Sequence, residues 1–161
     1  MIKRSGSIIR WAGFWLAILC SAALAGERFT VNPDGTVADH ERGVMWARES
    51  NPGDISWHQA EKWVKYTFPD TIPAGYDDWR LPTLEELASL YVRDEGYKGY
   101  ETDCGQRVKI VPEIQLTCGW IWTSERKSIT ARVYNFNRGY HYTDRMVHYR
   151  AYRALPVRDM E

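Results

Sequence analysis

The sequence is 161 residues long, with 21 basic and 21 acidic side chains, 44% hydrophobic residues, 14% aromatics and three cysteines. That size allows one ordinary globular domain plus a short appendage. The aromatic content excludes a disordered chain, 12 glycines and 7 prolines exclude a collagen-like one, and a negative mean hydropathy excludes a multispan membrane protein.

The chain opens on a stretch unlike the rest. Lys3, Arg4 and Arg10 precede an uncharged apolar run of 15 residues, Trp11 to Ala25, which ends on the small-x-small triplet Ala23-Leu24-Ala25. A membrane-spanning helix needs about 20 apolar residues, so the pattern predicts a signal peptide over residues 1–25; an uncleaved leader is the one route to a membrane. Leu19 before Cys20 argues against lipoprotein processing. Residues 26–161 then form a single domain in an oxidising compartment, periplasmic or secreted, with 18 basic against 21 acidic side chains and a net charge of −3. Cys104 and Cys118 are its two cysteines, and an even pair in a secreted domain is expected to form a disulfide. Half a metal site or a redox pair are the alternatives; neither CxxC spacing nor a neighbouring histidine accompanies them.

Three short strands come first: Arg28 to Asn32, Thr36 to Asp39 across the Pro33-Asp34-Gly35 turn, and Val44 to Ala47 after Glu41-Arg42-Gly43. Ser56 and Gln59 have capping-box spacing, predicting a helix to about Tyr66 with Trp57, Ala60, Val64 and Trp63 toward the core. A second box, Thr83 to Glu86, opens a helix to about Val92 whose inner face is Leu84, Leu87, Leu90 and Tyr91, and Pro82 breaks the chain before it. Glu95 to Pro112 loses periodicity and is expected to be a long loop held by the cysteine pair. Trp120 to Thr123, Ala131 to Phe136 and Tyr149 to Val157 read as strands, with Pro156 acceptable only at an edge or a strand end. Strands, two helices and strands again make an α+β pattern, with helices segregated on an antiparallel sheet.

Several runs, in order, resemble one family: Asp34-Gly35-Thr36-Val37-Ala38-Asp39, Gly43-Val44-Met45-Trp46, Gly75-Tyr76-Asp77-Asp78-Trp79-Arg80-Leu81-Pro82-Thr83 leading into Glu85-Glu86-Leu87, Trp122-Thr123-Ser124, Asn135-Phe136 and Arg153-Ala154-Leu155-Pro156-Val157-Arg158. The family is the domain found at the C-terminus of the Legionella collagen-like adhesin, and the similarity covers about Arg28 to Arg158. The Asp-Trp-Arg-Leu-Pro-Thr run is its most specific piece. The resemblance implies a C-type-lectin-like fold: a small twisted antiparallel sheet, two flanking helices, and N- and C-terminal strands that pair. It also implies a bacterial, extracytoplasmic protein. In the adhesin this domain is associated with trimers and with sulphated glycosaminoglycans, but this chain lacks the collagen repeats.

Asp77, Asp78, Trp79, Arg80, Pro82, Thr83 and Glu86 are expected to lock a strand-to-helix turn, with one of the two aspartates pairing a buried arginine. Arg153 and Arg158 match the family's closing motif and are assigned to the fold. Neither the Glu-Pro-Asn, Gln-Pro-Asp nor Trp-Asn-Asp triplet of calcium-dependent sugar-binding lectins occurs, so no calcium or other metal, and no cofactor, is expected. Six tryptophans follow the leader, most of them expected in the core; Trp120 and Trp122 share a strand face and would alternatively make a stacking platform.

Charge is unevenly distributed. Residues 126–158 hold eight basic side chains against the single Asp144, whereas residues 26–125 hold 10 basic and 18 acidic ones. Tyrosines and histidines interleave the basic segment. Arginine forks suit sulphate, carboxylate and phosphate, and tyrosine faces suit sugar rings. Arg138, Tyr140, His141, Tyr142, Arg145, His148 and Arg150, in the turn after Gly139 and the start of the last strand, are the candidate ligand residues. The other reading is internal balance, the acidic and basic segments neutralising each other where the terminal strands meet.

The sequence thus leads to two expectations. One is a non-catalytic binding module for an anionic polysaccharide. The other is a structural or homo-oligomer-forming surface component whose basic face packs on a protein partner. Nucleic acid is disfavoured by compartment. Formylglycine-generating oxidases contain a run similar to Arg80 to Glu85, but their reactive cysteines lie late in the chain, and here no cysteine follows Cys118. No GxSxG, HExxH or glycine-rich phosphate loop is present.

Overall fold

The computed structural model describes residues 27–161, so the expected signal peptide lies outside the described residues. The first three strands are β1 (Phe29–Val31), β2 (Thr36–Asp39) and β3 (Val44–Ala47), an antiparallel meander. Gly35 takes a positive φ of 86° in the first turn, which is why Asp34-Gly35 serves there. Every residue of β2 and β3 is buried, so these two central strands are covered on both faces.

Helix α1 (Trp57–Lys62) starts at Ser56, whose backbone N–H donates to the Gln59 side chain at 3.0 Å. The helical path continues to Thr71 but changes pitch: Trp63–Thr67 form a π-helical turn and Phe68–Thr71 a 3-10 turn with Pro69 near its start. Helix α2 (Leu84–Ser89) is capped at Thr83, whose hydroxyl accepts from the Glu86 N–H at 3.2 Å while the Glu86 carboxylate accepts from the Thr83 N–H at 2.7 Å. It is shorter than its periodicity suggested. The Val92 N–H turns away to the Lys109 carbonyl, ending the helix in favour of tertiary pairing.

The expected long loop is not structureless. It folds into a two-stranded ladder, β4 (Tyr100–Glu101) and β5 (Arg107–Val108), with Cys104 in the intervening turn bonded to Cys118, Cα to Cα 5.4 Å. Five strands follow: β6 (Trp120–Lys127), β7 (Thr130–Asn135), β8 (Tyr140–Arg145), β9 (Tyr152–Arg153) and β10 (Val157–Asp159). The segment Tyr149 to Val157, expected as one strand, is two. β9 joins the second sheet, ordered β8-β7-β6-β9, and β10 joins the first, ordered β1-β2-β3-β10. Pro156, which has no N–H to donate, sits at the crossing between the sheets.

Two further expectations are corrected. The C-terminal strand pairs with β3 at residues Val157↔Trp46, not with the N-terminal strand, which lies at the opposite edge of that sheet. The second sheet is not wholly antiparallel either, because β9 runs parallel to β6. The fold is α+β all the same, mostly antiparallel strands with few helices. α2 packs on β6 and β7, where Tyr91 meets Tyr134. α1 takes the other face: the Trp57 indole donates to the Thr123 carbonyl at 2.8 Å and the Trp122 indole to the Ile55 carbonyl at 3.0 Å. Among the described residues no helix is long and apolar enough to cross a membrane.

Candidate functional site

The turn before α2 is held by ion pairs that reach across the chain. Arg80 donates two hydrogen bonds to the Glu86 carboxylate at 2.9 and 2.7 Å and a third to Asp159 at 2.6 Å. The partner of the buried arginine is Asp78, not Asp77: Arg158 donates to its two oxygens at 2.6 and 3.0 Å and stacks on the Tyr76 ring at 4.0 Å. Trp79 is buried and its indole donates to the Tyr76 carbonyl at 3.0 Å. Pro82 is buried behind the cap and its carbonyl accepts from the Ser124 N–H at 2.8 Å. Arg153, also buried, donates to Thr117 Oγ1 at 2.8 Å and to Asp54 at 2.7 Å. The Arg158 hydrogen bond holds the Asp78 carboxyl below the usual carboxylate range. These residues close the two sheets on each other.

Four of the seven candidate ligand residues, Tyr140, His141, Tyr142 and Arg145, occupy a strand that periodicity did not reveal, while Arg138 lies in the turn before it and His148 and Arg150 follow it. β8, read from sequence as a turn, is an edge strand paired along all six residues with β7, from Asn135↔Tyr140 to Thr130↔Arg145. Its other edge is free of strand partners. The alternation of Tyr140, Tyr142 and Asp144 with His141, Thr143 and Arg145 is the signal that identifies it. Glycine is required just before it, since Gly139 has φ 71° and a Cβ there would meet the Tyr91 ring at 2.5 Å.

The two faces of β8 differ. Toward α1, Tyr142 donates to the Tyr152 hydroxyl at 3.2 Å, Tyr152 donates to the Asp144 carboxylate, and His148 Nδ1 lies 2.8 Å from the other Asp144 oxygen. Burial pushes the Asp144 carboxyl up, but the Tyr152 and His148 hydrogen bonds outweigh it, so Asp144 sits below its ordinary range. Burial first, then the Asp144 partner, push the Tyr152 hydroxyl well up. On the opposite face His141, Thr143 and Arg145 are exposed beside Arg132 and Lys127 of the neighbouring strands. Tyr140 is exposed and its ring centroid is 6.1 Å from that of Tyr142.

The arginines divide into two sets. Arg28, Arg42, Arg80, Arg132, Arg153 and Arg158 each have a carboxylate within 4 Å. Arg138, Arg145 and Arg150 have none among the described residues, although Arg150 is close enough to Asp54 to help lower its carboxyl. Charge balance therefore accounts for some of the basic segment and leaves over these three exposed guanidinium groups and that of Arg126, which lies over the Trp57 ring at 5.4 Å. They do not converge: Arg138 precedes β8 and Arg145 ends it, on the order of 20 Å apart at strand rise. Sequence reasoning missed three apolar side chains on the same surface, the exposed Ile129, Val147 and Tyr149.

The stacking platform is corrected. Trp120 and Trp122 do share a face, but Trp122 is fully buried, with its ring 4.5 Å from that of Tyr152, and Trp120 is half-buried beside the same tyrosine at 5.9 Å. Among the described residues no three His, Cys, Asp or Glu side chains converge in a way that would hold a metal ion.

No curated protein matches the chain. The family profile of the Lcl C-terminal domain matches residues 35–158, from the first turn to Arg158 in β10. That span includes the capped Asp-Trp-Arg-Leu-Pro-Thr turn, the disulfide hairpin and the whole of β8, so the chain belongs to the Lcl C-terminal domain family.

Proposed function

We propose that this chain is a non-catalytic, extracytoplasmic binding module, periplasmic or secreted, that takes an anionic polysaccharide along β8. The observation that carries the reading is the set of three exposed arginines without carboxylate partners, Arg138 before the edge strand β8, Arg145 at its end and Arg150 after it, with Tyr140 and Tyr149 exposed between and beside them. Spacing of this kind suits a linear polymer better than a compact anion, because successive charges of one chain reach successive guanidinium groups. His141 and His148 would add donors, and Tyr142 would extend the aromatic face of Tyr140, its ring centroid 6.1 Å away. The disulfide and family membership support the compartment. Membership also supports a C-type-lectin-like fold, as do a C-terminal strand returning to the N-terminal sheet and two helices flanking the second.

The test is retention on a sulphated polysaccharide column across a salt series, comparing the domain with an R138S/R145S/R150S variant. Retention near physiological salt that the variant loses is the expected result. If both wash through together, the reading fails.

A second reading has its own observation. The free edge of β8, with Ile129, Val147 and Tyr149 exposed around it, suits a protein partner or a second copy. Size exclusion over a wide concentration range separates the two: an oligomer that persists on dilution favours the second reading, and a monomer that still binds the column favours the first.

A further inference from the structure

An open groove of about 560 Å³, lined by no residue of β8, lies between the β1–β2 turn and the helical run that ends at Thr71. Its apolar walls are Pro33, Pro52, Phe68 and Ile72, and its floor is Trp63, half-buried and packed on Phe68 with centroids 5.3 Å apart. Trp63 opens the π-helical turn, a widened geometry that recurs at functional sites. Volumes of this size are typical of small-molecule sites.

At the mouth stands Arg48. Its backbone is held on both sides, the N–H donating to the Gly35 carbonyl at 3.0 Å and the carbonyl accepting from the Gln115 N–H at 2.8 Å. Its side chain is exposed and, among the described residues, has neither a carboxylate within 4 Å nor a hydrogen-bond partner. Apart from Glu49, the other polar side chains of the rim are already engaged. Asn32 donates to Thr36 Oγ1 at 2.9 Å, Thr71 to the Phe68 carbonyl at 2.7 Å, and Ser50 Oγ accepts from the Thr117 N–H at 3.0 Å. A polyhydroxylated sugar would find few open donors and acceptors there. Glu49, also on the rim, opposes a ligand of more than one negative charge.

We propose that this groove binds a small monocarboxylate with an apolar body, its carboxylate on Arg48 and its body against Trp63, Phe68 and Ile72. An unpartnered guanidinium beside an aromatic wall matches that chemistry in charge and shape. The site is independent of the polysaccharide reading, which uses none of these residues.

The test is a titration of isotope-labelled protein with phenylbutyrate, followed by the amide signals of Gly35 and Arg48 and the Trp63 indole. Phenylbutanol serves as the uncharged match and glucuronate as the hydroxylated carboxylate. Saturable shifts centred on these residues are expected, at least tenfold weaker in R48Q and partly restored in R48K. Both variants should fold, since the Arg48 side chain makes no hydrogen bond within the described residues. The R138S/R145S/R150S variant is expected to titrate like the parent, so loss of polysaccharide binding and loss of this site are read separately. The proposal is overturned by any of three results: no saturable shift up to about 10 mM, equal affinity in R48Q, or equal binding of phenylbutanol or glucuronate.

Discussion

At the scale of single residues, stability rests on carboxylates that face arginines inside the fold. Asp39 is fully buried and takes two hydrogen bonds from Arg28 at 2.9 and 2.7 Å. Burial raises the Asp39 carboxyl, and the Arg28 partner more than offsets it; Glu86 has the same balance, with Arg80 as the partner. A carboxyl whose pKa is lower folded than unfolded binds its proton more tightly in the unfolded chain, so protonation favours unfolding. Stability should be constant above about pH 5 and fall as the pH drops below the unfolded carboxyl value of about 4. Urea midpoints measured from about pH 6 down to about pH 2 follow this fall, and Asp39→Asn should flatten it while lowering stability at neutral pH. Position also decides which pair matters. Asp78→Ala leaves the Arg158 guanidinium buried and unpaired and should cost about 2 kcal/mol, whereas Glu61→Ala breaks only the exposed helical pair with Lys65 at 3.6 Å and should cost under about 0.5 kcal/mol.

Elements owe their limits to what they pack against. The hairpin of β4 and β5 gives the core only the paired Tyr100 and Val108, and depends besides on the Cys104–Cys118 bond and on Gly99, which has φ 63° and whose Cβ would lie 1.8 Å from the Val108 carbonyl oxygen. Gly99→Ala should therefore lower stability by more than about 2 kcal/mol. Replacing both cysteines by serine should cost about 3 kcal/mol by freeing the 15-residue loop. Chemical denaturation of the two variants gives both values. Where signals were local, the sequence showed them: both capping boxes form at Ser56 and Thr83, and β2 and β3 have the expected bounds. β8 was hidden because four of its six residues are exposed and the two half-buried ones are a tyrosine and an aspartate, so a hydrophobic alternation never appears.

For the whole molecule, the last ten residues matter out of proportion to their number. β9 lies in one sheet and β10 in the other, so the chain end ties the two layers together. Val157 is the centre of that tie: fully buried, paired with Trp46 in β3 and bridged to Arg80. Val157→Asp would bury an unpaired carboxylate and should abolish cooperative folding, visible as collapsed amide dispersion in an NMR spectrum. Arg138, Arg145 and Arg150, exposed in and around β8 without carboxylate partners, give a domain of net charge −3 a local basic stretch that a polyanion can approach.

The sequence by itself determined the α+β class, the family, the disulfide partners and the residues of the capped turn, because each is written in short-range pattern or in motif. It also showed that the basic segment was unusual. The tertiary structure decided which arginines have partners: Arg153 and Arg158 meet Asp54 and Asp78 from 99 and 80 residues away, while Arg138, Arg145 and Arg150 meet none among the described residues. It likewise placed Trp122 in the core and Arg48 at an aromatic groove. Charge and burial depend on which distant segments the fold brings within a few ångströms, and no local pattern in the chain records those distances.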